Sequence, residues 1–320
     1  AIMHMNELSE LIKRLANNEG ARILCVGDLM LDRFIHGDVS RISPEAPIPI
    51  LAVRDETVMV GGAGNVVRNL VAIGVETELV AVIGDDAAGW ELRSLLDAEA
   101  LQSTCLIETP GRGTTIKTRF SASGQQLLRA DRESSEPLDV VAAQALLDQS
   151  IKSLQSCAVL ILSDYGKGVL EDAVLTPLLA EAQRLGRPVI VDPKGLDYSR
   201  YKGATLLTPN RRELAQASGG STDDDASVVA AGRRIIEQCG VTAVLATRSE
   251  QGMTLIDTDD TRHLAARAKE VFDVSGAGDT VAAAMAAGLA AGASLELAAR
   301  LANTAAGVVV GKAGTAVAHA

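Results

Sequence analysis

The chain has 320 residues, enough for one large α/β domain or two average ones, and 47% of them are hydrophobic. Only 2% are aromatic, so the core these residues can build is aliphatic and rich in Ala. The formal charge of -11 argues against nucleic acid or an anionic membrane as partner, since both attract basic surfaces; a small phosphorylated substrate stays open, because local charge decides its binding.

In chain order, AIMHM reads as a remnant ahead of a natural start, and a helix is expected from about Glu7. No basic segment leads into a long apolar run, so a secretory signal is not expected. Apolar, β-rich runs at 22–26, 79–83, 158–162, 188–191, 205–207, 243–246 and 252–256 predict strands. Helical periodicity falls between and after them, at 65–73, 90–99, 173–185, 227–239, 280–291 and 295–310. Gly74, Gly186 and Gly240 stand where helices should stop. Buried strands alternating with helices predict a mostly parallel sheet covered on both faces, a three-layer α/β/α core, and the chain is expected to be a single domain over 1–320.

Two segments, 34–60 and 114–132, break the alternation with strand patterns of their own, and Ser123-Gly124 marks a hairpin in the second. They predict a small separate sheet whose apolar face must be covered by the core or by a second copy. Cys25, Cys105, Cys157 and Cys239 are scattered with no C-x-x-C pair, as expected of buried reduced thiols in a cytoplasmic protein. The run 281–291 is too short and too Ala-rich to span a bilayer. "GGSTDDDAS" at 219–227 predicts a surface loop whose acids favour the helix that follows.

Several motif matches fail. Gly62-Ala63-Gly64 and Gly276-Ala277-Gly278 lack the third glycine of a dinucleotide fingerprint, and "GVVVGKAG" at 307–314 has the wrong spacing for a Walker A loop. His4, His36, His263 and His319 form no H-E-x-x-H pair. Other features agree with one another. "DVSGAGDTVAAAM" places small residues and Asp279 at the start of a buried helix, where free N–H groups and the macrodipole attract anions. Asp279 by itself could simply favour a first helical turn. "GDLMLD" puts Asp28 and Asp32 just beyond the first strand, at the carboxyl edge where open α/β sheets bind ligands, although a loop cap explains Asp28 alone equally well. "VGGAGNVVRN" offers a second small-residue turn, with Asn65 able to donate and accept. "VDPKG" and "TPNRRE" end two later strands with Asp192, Asn210 and Glu213, oxygen donors of the kind that suits Mg²⁺ beside phosphate. Acids and glycine turns at several strand ends, without a thiol or imidazole nucleophile, point to phosphoryl transfer.

Those residues resemble the ribokinase (PfkB) family of sugar and nucleoside kinases over essentially the whole chain. "GGAGN" resembles its first signature, "DVSGAGDT" its second and "TPNRRE" its N-x-x-E metal-site motif. The resemblance implies a ribokinase-like core with a β-sheet lid that in many members forms a homodimer contact. It implies ATP and Mg²⁺ as cofactors, Asp279 as base, and the amides of Gly276, Ala277 and Gly278 as an anion hole. Asn210, Arg211, Arg212, Glu213, Thr247, Ser249, Gly252 and Asn303 would line the ATP site, with Asn210, Glu213 and Asp192 near the metal, through water. Asp28, Gly62 and Asn65 would hold sugar hydroxyls.

"RISPEAPIPIL", "SDYGKG", "DPKG" and "TRSEQG" are similar to the members that phosphorylate D-glycero-D-manno-heptose 7-phosphate on the way to nucleotide-activated heptoses, in their form without a fused nucleotidyltransferase. Arg41, Arg119 and Lys167 are then candidates for gripping the 7-phosphate. The alternatives are a kinase of the same fold for another sugar, sugar phosphate or nucleoside, and a non-catalytic sugar- or nucleotide-binding regulator. Scarce aromatics in the lid disfavour a nucleoside, and an intact Asp279 with N-x-x-E disfavours the regulator.

Overall fold

The computed structural model describes residues 2–267 and 276–310. Residues 273–275 of the second signature, His319 and the end of the 307–314 match lie outside the described residues.

A first helix, α1 (Ile2–Ala16), precedes the large sheet and starts earlier than the sequence suggests. Strand β1 (Ile23–Gly27) is wholly buried and sits inside that sheet, pairing in parallel with β4 (Thr77–Gly84) on one side and β8 (Val159–Ser163) on the other. Beyond β4 lies β5 (Ser103–Thr109), also parallel. Beyond β8 come β9 (Val189–Asp192), the two-residue β10 (Leu206–Leu207) and β11 (Ala243–Thr247), all parallel. Then β12 (Met253–Ile256) and β13 (Thr261–Leu264) close the edge antiparallel. The chain therefore leaves β1 in opposite directions toward β4 and β8, a switch point whose carboxyl edge forms a crevice.

Helices cover both faces. Helices α2 (Ala63–Ile73), α3 (Ala87–Asp97), α8 (Ala277–Ala290) and α9 (Leu295–Val310) contribute to one apolar cluster with Cys25, Leu79 and Ile161. Helices α4 (Val140–Leu154), α5 (Asp172–Arg184), α6 (Arg211–Ser218) and α7 (Asp225–Cys239) contribute to the other, with Leu24, Val80 and Leu160. Successive strand residues divide between the two clusters, as the period of two requires. Ala dominates α8 because it passes between sheet and α9: Ala282, Ala283, Ala284, Ala286 and Ala287 are fully buried. No described helix is long and apolar enough to cross a membrane.

The second sheet has the order β3-β2-β6-β7, from β2 (Leu29–Ile42), β3 (Pro49–Gly62), β6 (Thr115–Ala122) and β7 (Gln125–Arg132). It is the small sheet expected from 34–60 and 114–132. Ser123 and Gly124, with φ of 51° and 76°, form the two-residue turn between β6 and β7. Its roots lie in the site, because β2 follows β1 after Asp28 alone and β3 runs straight into α2. Strand β5 and helices α4 and α6 are additions to the predicted elements, as is β13.

The four cysteines are free thiols, with Cys25, Cys157 and Cys239 buried and Cys105 partly so. Gly74 and Gly240 terminate α2 and α7 in the left-handed conformation, as expected. Asp224 caps α7 in the acidic loop, reciprocally with Ser227.

Candidate active site

Asp279 lies in the first turn of α8, 5% exposed, at the carboxyl edge of the large sheet. Gly276, at φ 75°, forms the N-cap in the left-handed region, and among the described residues no side chain caps this helix. The first-turn amides of Ala277, Gly278 and Asp279 have no intrahelical acceptor, and a Cβ built on Gly278 would meet no described residue within 4 Å. Open space over free amides at the positive end of a helix is a site for an anion.

The Asp279 carboxylate is held by two donors. Asn65 Nδ2 donates to Oδ2 at 2.8 Å, and the Tyr165 hydroxyl donates to Oδ1 at 2.7 Å. Asn65 comes from the first turn of α2, one turn before Asn69, whose Oδ1 accepts from the Thr280 hydroxyl at 2.9 Å. Two polar pairs at helical spacing thus lock α2 onto α8. Burial pushes the Asp279 carboxyl up to about 6; Asn65 and Tyr165 hold it down, and the charge of Asp32 adds to the rise.

Asp28, 1% exposed, directly follows β1, and its Oδ2 accepts from the Tyr165 amide at 2.6 Å. Burial pushes it up to about 7 and the charge of Asp164 adds to the rise, against the pull of the Tyr165 and Lys167 amides and of Arg112. Among the described residues its Oδ1 makes no hydrogen bond of normal geometry, although the Lys167 amide is near enough to favour the ionised form, and Asn65 Oδ1 has none either. Two buried acceptors left open beside Asp279 suit hydroxyl donors of a ligand. Gly62, at φ 60°, lets α2 start against Asp28: a Cβ there would stand 2.3 Å from the Asp28 carbonyl oxygen. Asp28, Gly62 and Asn65 are therefore brought together at one end of α2.

The basic residues divide. Arg119 on β6 donates to Asp32 at 3.0 Å and lies over the Phe34 ring at 5.2 Å. Lys167 is paired with Glu133 at 2.7 Å beside the crevice. Arg41 is not brought to this site within one chain: it stands exposed near the far end of β2, roughly 30 Å from Asp32 at about 3.3 Å per residue. Sequence reasoning missed Lys117, which pairs in register with Asp32 and shares its strand face with Arg119. Burial lowers its pKa, and Arg129 and Lys167 nearby lower it further. It missed Arg112 as well, whose guanidinium reaches the carbonyls of Glu136 and Lys167 beside Asp28.

On the other side of Asp279 the strand ends form a second group. Asn210 caps α6 and bridges to Thr247 at the end of β11. Arg211 reaches Gln251 at 3.4 Å, which draws the "NRRE" and "SEQG" segments together, while Arg212 is exposed. Ser249 adopts φ 51°, unusual for a non-glycine residue, and Gly252 ends the same loop. Asn303 on α9 donates to the Ala265 carbonyl at 2.8 Å and lines an open groove with His263, Arg267 and Arg300.

Asn210 and Glu213 form a capping box: the Glu213 amide donates to Asn210 Oδ1 at 2.8 Å, and the Asn210 amide to Glu213 Oε1 at 3.0 Å. The N-x-x-E spacing thus has a local structural cause whether or not a metal is bound. Among the described residues no three of His, Cys, Asp and Glu converge tightly enough to hold a metal by themselves. Asp192, at the end of β9, is nevertheless driven well above the usual carboxylate range, first by burial and then by the charges of Asp279, Glu213 and Asp164. Such crowding of acids fits a cation held partly through water.

Tyr165 is the main residue that sequence reasoning left without a role. It lies in "SDYGKG", a stretch that carries a family resemblance and no local chemical signal, and its partners are far away in sequence.

With this geometry in view, the sequence profile of the pfkB family carbohydrate kinases matches residues 21–319. The chain belongs to that family. It is a carbohydrate kinase with a ribokinase-like fold. Among curated proteins it is 56% identical over 316 residues to "Bifunctional protein HldE" of Paramagnetospirillum magneticum, covering 98% of this chain and 65% of that one. It is 56% identical over 310 residues to the protein of that name from Rhodospirillum rubrum, covering 97% and 62%. The chain thus spans just under two thirds of these relatives. Phosphofructokinase-2 from Escherichia coli, solved with substrates and products, superposes with a TM-score of 0.79 at 24% identity, over 93% of this chain and 96% of that one. Ribokinase from Arabidopsis thaliana, solved with ribose and ATP, gives 0.70 at 19% identity, over 92% and 94%. These pfkB-type structures share the fold.

The raised pKa of Asp279 has a consequence for stability. A carboxylate whose folded pKa, about 6, exceeds its unfolded value, about 4, penalises folding once pH rises above the unfolded pKa, and the penalty levels off above the folded one. Two pK units correspond to about 3 kcal/mol as an upper bound. Asp279→Asn should therefore be about 1–3 kcal/mol more stable than the parent at pH 8, with the advantage fading toward pH 4. Urea unfolding at both pH values checks this, and equal stability at pH 8 would contradict it.

Proposed function

We propose that the chain transfers the γ-phosphoryl group of ATP to the anomeric hydroxyl of D-glycero-D-manno-heptose 7-phosphate. The product, the 1,7-bisphosphate, would feed nucleotide-activated heptose for surface polysaccharide such as lipopolysaccharide core. The observation that carries the reading is a buried carboxylate, Asp279, set among uncapped helix amides and two open acceptors. The stretches "RISPEAPIPIL" and "SDYGKG", and identity to proteins named HldE, support the choice of sugar.

In this reading Asp28 Oδ1 and Asn65 Oδ1 accept from sugar hydroxyls and present the anomeric hydroxyl to Asp279, which takes its proton. The amides of Ala277, Gly278 and Asp279 hold negative charge on the transferring group. Asn210, Thr247, Ser249, Gly252 and Asn303 line the nucleotide's side of the crevice, with Arg211, Arg212 and Glu213 at the start of α6. Asp192 and Glu213 through waters, with Asn210, would hold Mg²⁺, which when bound neutralises phosphate oxygens. Lys117, Arg119 and Lys167 supply positive charge for the far phosphate. We place the enzyme in the cytoplasm, where ATP is available, as one kinase domain that dimerises through its lid.

Three measurements test the reading. Heptose 7-phosphate should exceed the unphosphorylated heptose in kcat/KM, and Lys117→Ala, Arg119→Ala or Lys167→Ala should each narrow the gap about 10- to 100-fold, as the loss of a charge-assisted hydrogen bond predicts. A parent that treats both sugars alike replaces this assignment with a plain sugar kinase. Glu213→Gln retains an oxygen for the Asn210 amide, so the fold should persist while the Mg²⁺ concentration needed for half-maximal rate rises several-fold. An overlaid Mg²⁺ curve would leave Glu213 as a helix cap only. The exposed apolar side chains Ile42, Ile48, Val53 and Leu128 all sit on or beside lid strands, so sedimentation at micromolar concentration should give a dimer. A fully active monomer would remove that contact.

A further inference from the structure

One residue is bonded to both carboxylates of the sugar side. The Tyr165 backbone amide donates to Asp28 at 2.6 Å, and its hydroxyl donates to Asp279 at 2.7 Å. The turn that carries it is itself fixed. Asp164, just before it, accepts from the Gly166 amide at 2.8 Å, from the Tyr201 hydroxyl at 2.6 Å and from Arg200 at 3.3 Å. The Tyr201 hydroxyl in turn accepts from the Lys194 amide at 3.0 Å. Among the described residues neither carboxylate is saturated by this arrangement: Asp28 keeps an oxygen without a hydrogen bond, and each Asp279 oxygen has one side-chain donor.

A hydroxyl is not needed to fill this space. A phenylalanine ring would pack equally well, and a carboxylate needing any donor already has Asn65. What the hydroxyl adds is a fixed separation between Asp28 and Asp279, through a single rigid ring and one peptide unit. We propose that Tyr165 is a positioning residue, which ties the base to the sugar anchor so that the acceptor hydroxyl held at Asp28 meets an aligned lone pair of Asp279. The inference rests on Asp279 being the base.

Tyr165 itself cannot take the proton. Burial and the charges of Asp279, Asp192 and Asp32 raise its pKa well above the ordinary phenol value, so it remains a donor. Among the described residues, the groups around Asp279 are Asp32 from β2, Asn65 from α2, the neutral Cys25 thiol from β1, Tyr165 from the turn after β8, and Asp192 at the end of β9. Among them only Asn65 and Tyr165 donate to its carboxylate. Losing the Tyr165 donor removes support for the ionised form, so Asp279 must become harder to ionise.

The experiment is steady-state kinetics of the full chain with ATP and its sugar substrate from pH 5 to 9, for the parent, Tyr165→Phe and Asp279→Asn. Tyr165→Phe should lower kcat about 10- to 100-fold, the effect of one hydrogen bond to a charged group. KM for ATP should stay within about twofold, because the amides at the start of α8 are untouched. The acid limb of kcat should move up by about one pH unit. Site-specific 3-fluorotyrosine at 165 keeps the shape and strengthens the donor, so its acid limb should move down; this arm stands even if the phenylalanine variant folds poorly. Acid limbs unmoved in both substitutions, or a loss confined to thermal stability, overturn the proposal. Asp279→Asn should lose about 10²–10⁴ in turnover. If it retains parental turnover, the base assignment falls and this inference with it, whereas an inactive Asp279→Asn beside an unaffected Tyr165→Phe defeats the Tyr165 role alone.

Discussion

Negative charge buried at the carboxyl edge of the large sheet is the constraint around which this structure is arranged. Asp28, Asp164 and Asp279 are each no more than 5% exposed, and a carboxylate out of water is tolerated only with donors or with a raised pKa. The topology supplies the donors. Parallel strands deliver their carboxyl ends to one edge, and the amino ends of the following helices, with free N–H groups, arrive at the same place. The two solutions differ between residues. Asp164 accepts from an amide, a phenol and a guanidinium, and its role is to hold a turn. Asp28 and Asp279 are left short of donors, and their pKa values climb to about 7 and about 6. Incomplete satisfaction marks the pair that a ligand can complete.

The same edge explains why the lid and the site are one construction. Strand β2 begins one residue beyond Asp28, and β3 ends at Gly62, directly before the helix that carries Asn65. Asp86 makes a third connection, capping α3 through the Gly89 amide and accepting from both the amide and hydroxyl of Thr114, at the entry to β6. The lid face that bears Asp32, Lys117 and Arg119 is therefore set by the residues that fix the sugar pocket. Arg119 occupied by Asp32 and Lys167 by Glu133 keep the cationic patch balanced, while Lys117 stands between the cations Arg129 and Lys167 and the acids Asp131 and Asp32.

Much of this was legible in the sequence, for physical reasons that separate what was seen from what was not. The parallel core strands are short apolar runs bounded by glycines and helix starts, a pattern that survives without any partner. The lid was visible because alternating patterns in 34–60 and 114–132 do not fit a buried parallel strand. Strand β5 escaped because it is an edge strand: Ser103, Thr104 and Glu108 break its apolar run. Helix α6 escaped because it is short and "NRRE" drew attention as a chemical motif, although the same spacing is a capping box. At the site, Asp279, Asn65 and Asp28 could be chosen because each lies at the start of a helix or the end of a strand. Tyr165 could not, since nothing local in "SDYGKG" shows that its ring spans to a helix more than a hundred residues later. Arg41 illustrates the converse. Its charge was plain in the sequence, but only the length of β2 shows that it lies far from Asp279 in its own chain.

The placement of an acid inside an anion site, which looks self-defeating in the sequence, follows from how the two groups point. Backbone amides at the start of α8 face outward along the helix axis, where the dipole favours negative charge. The Asp279 side chain turns instead toward α2 and the turn after β8, where Asn65 and Tyr165 take hold of it. Amides and carboxylate therefore serve different atoms: the first a phosphoryl group, the second the hydroxyl that attacks it. A pKa of about 6 suits this division, since the carboxylate is mostly ionised at neutral pH yet more basic than an exposed aspartate. Stronger donation would leave a weaker base, and fewer donors a protonated one. Two neutral side-chain donors, each from a different element packed against α8, hold it between those limits.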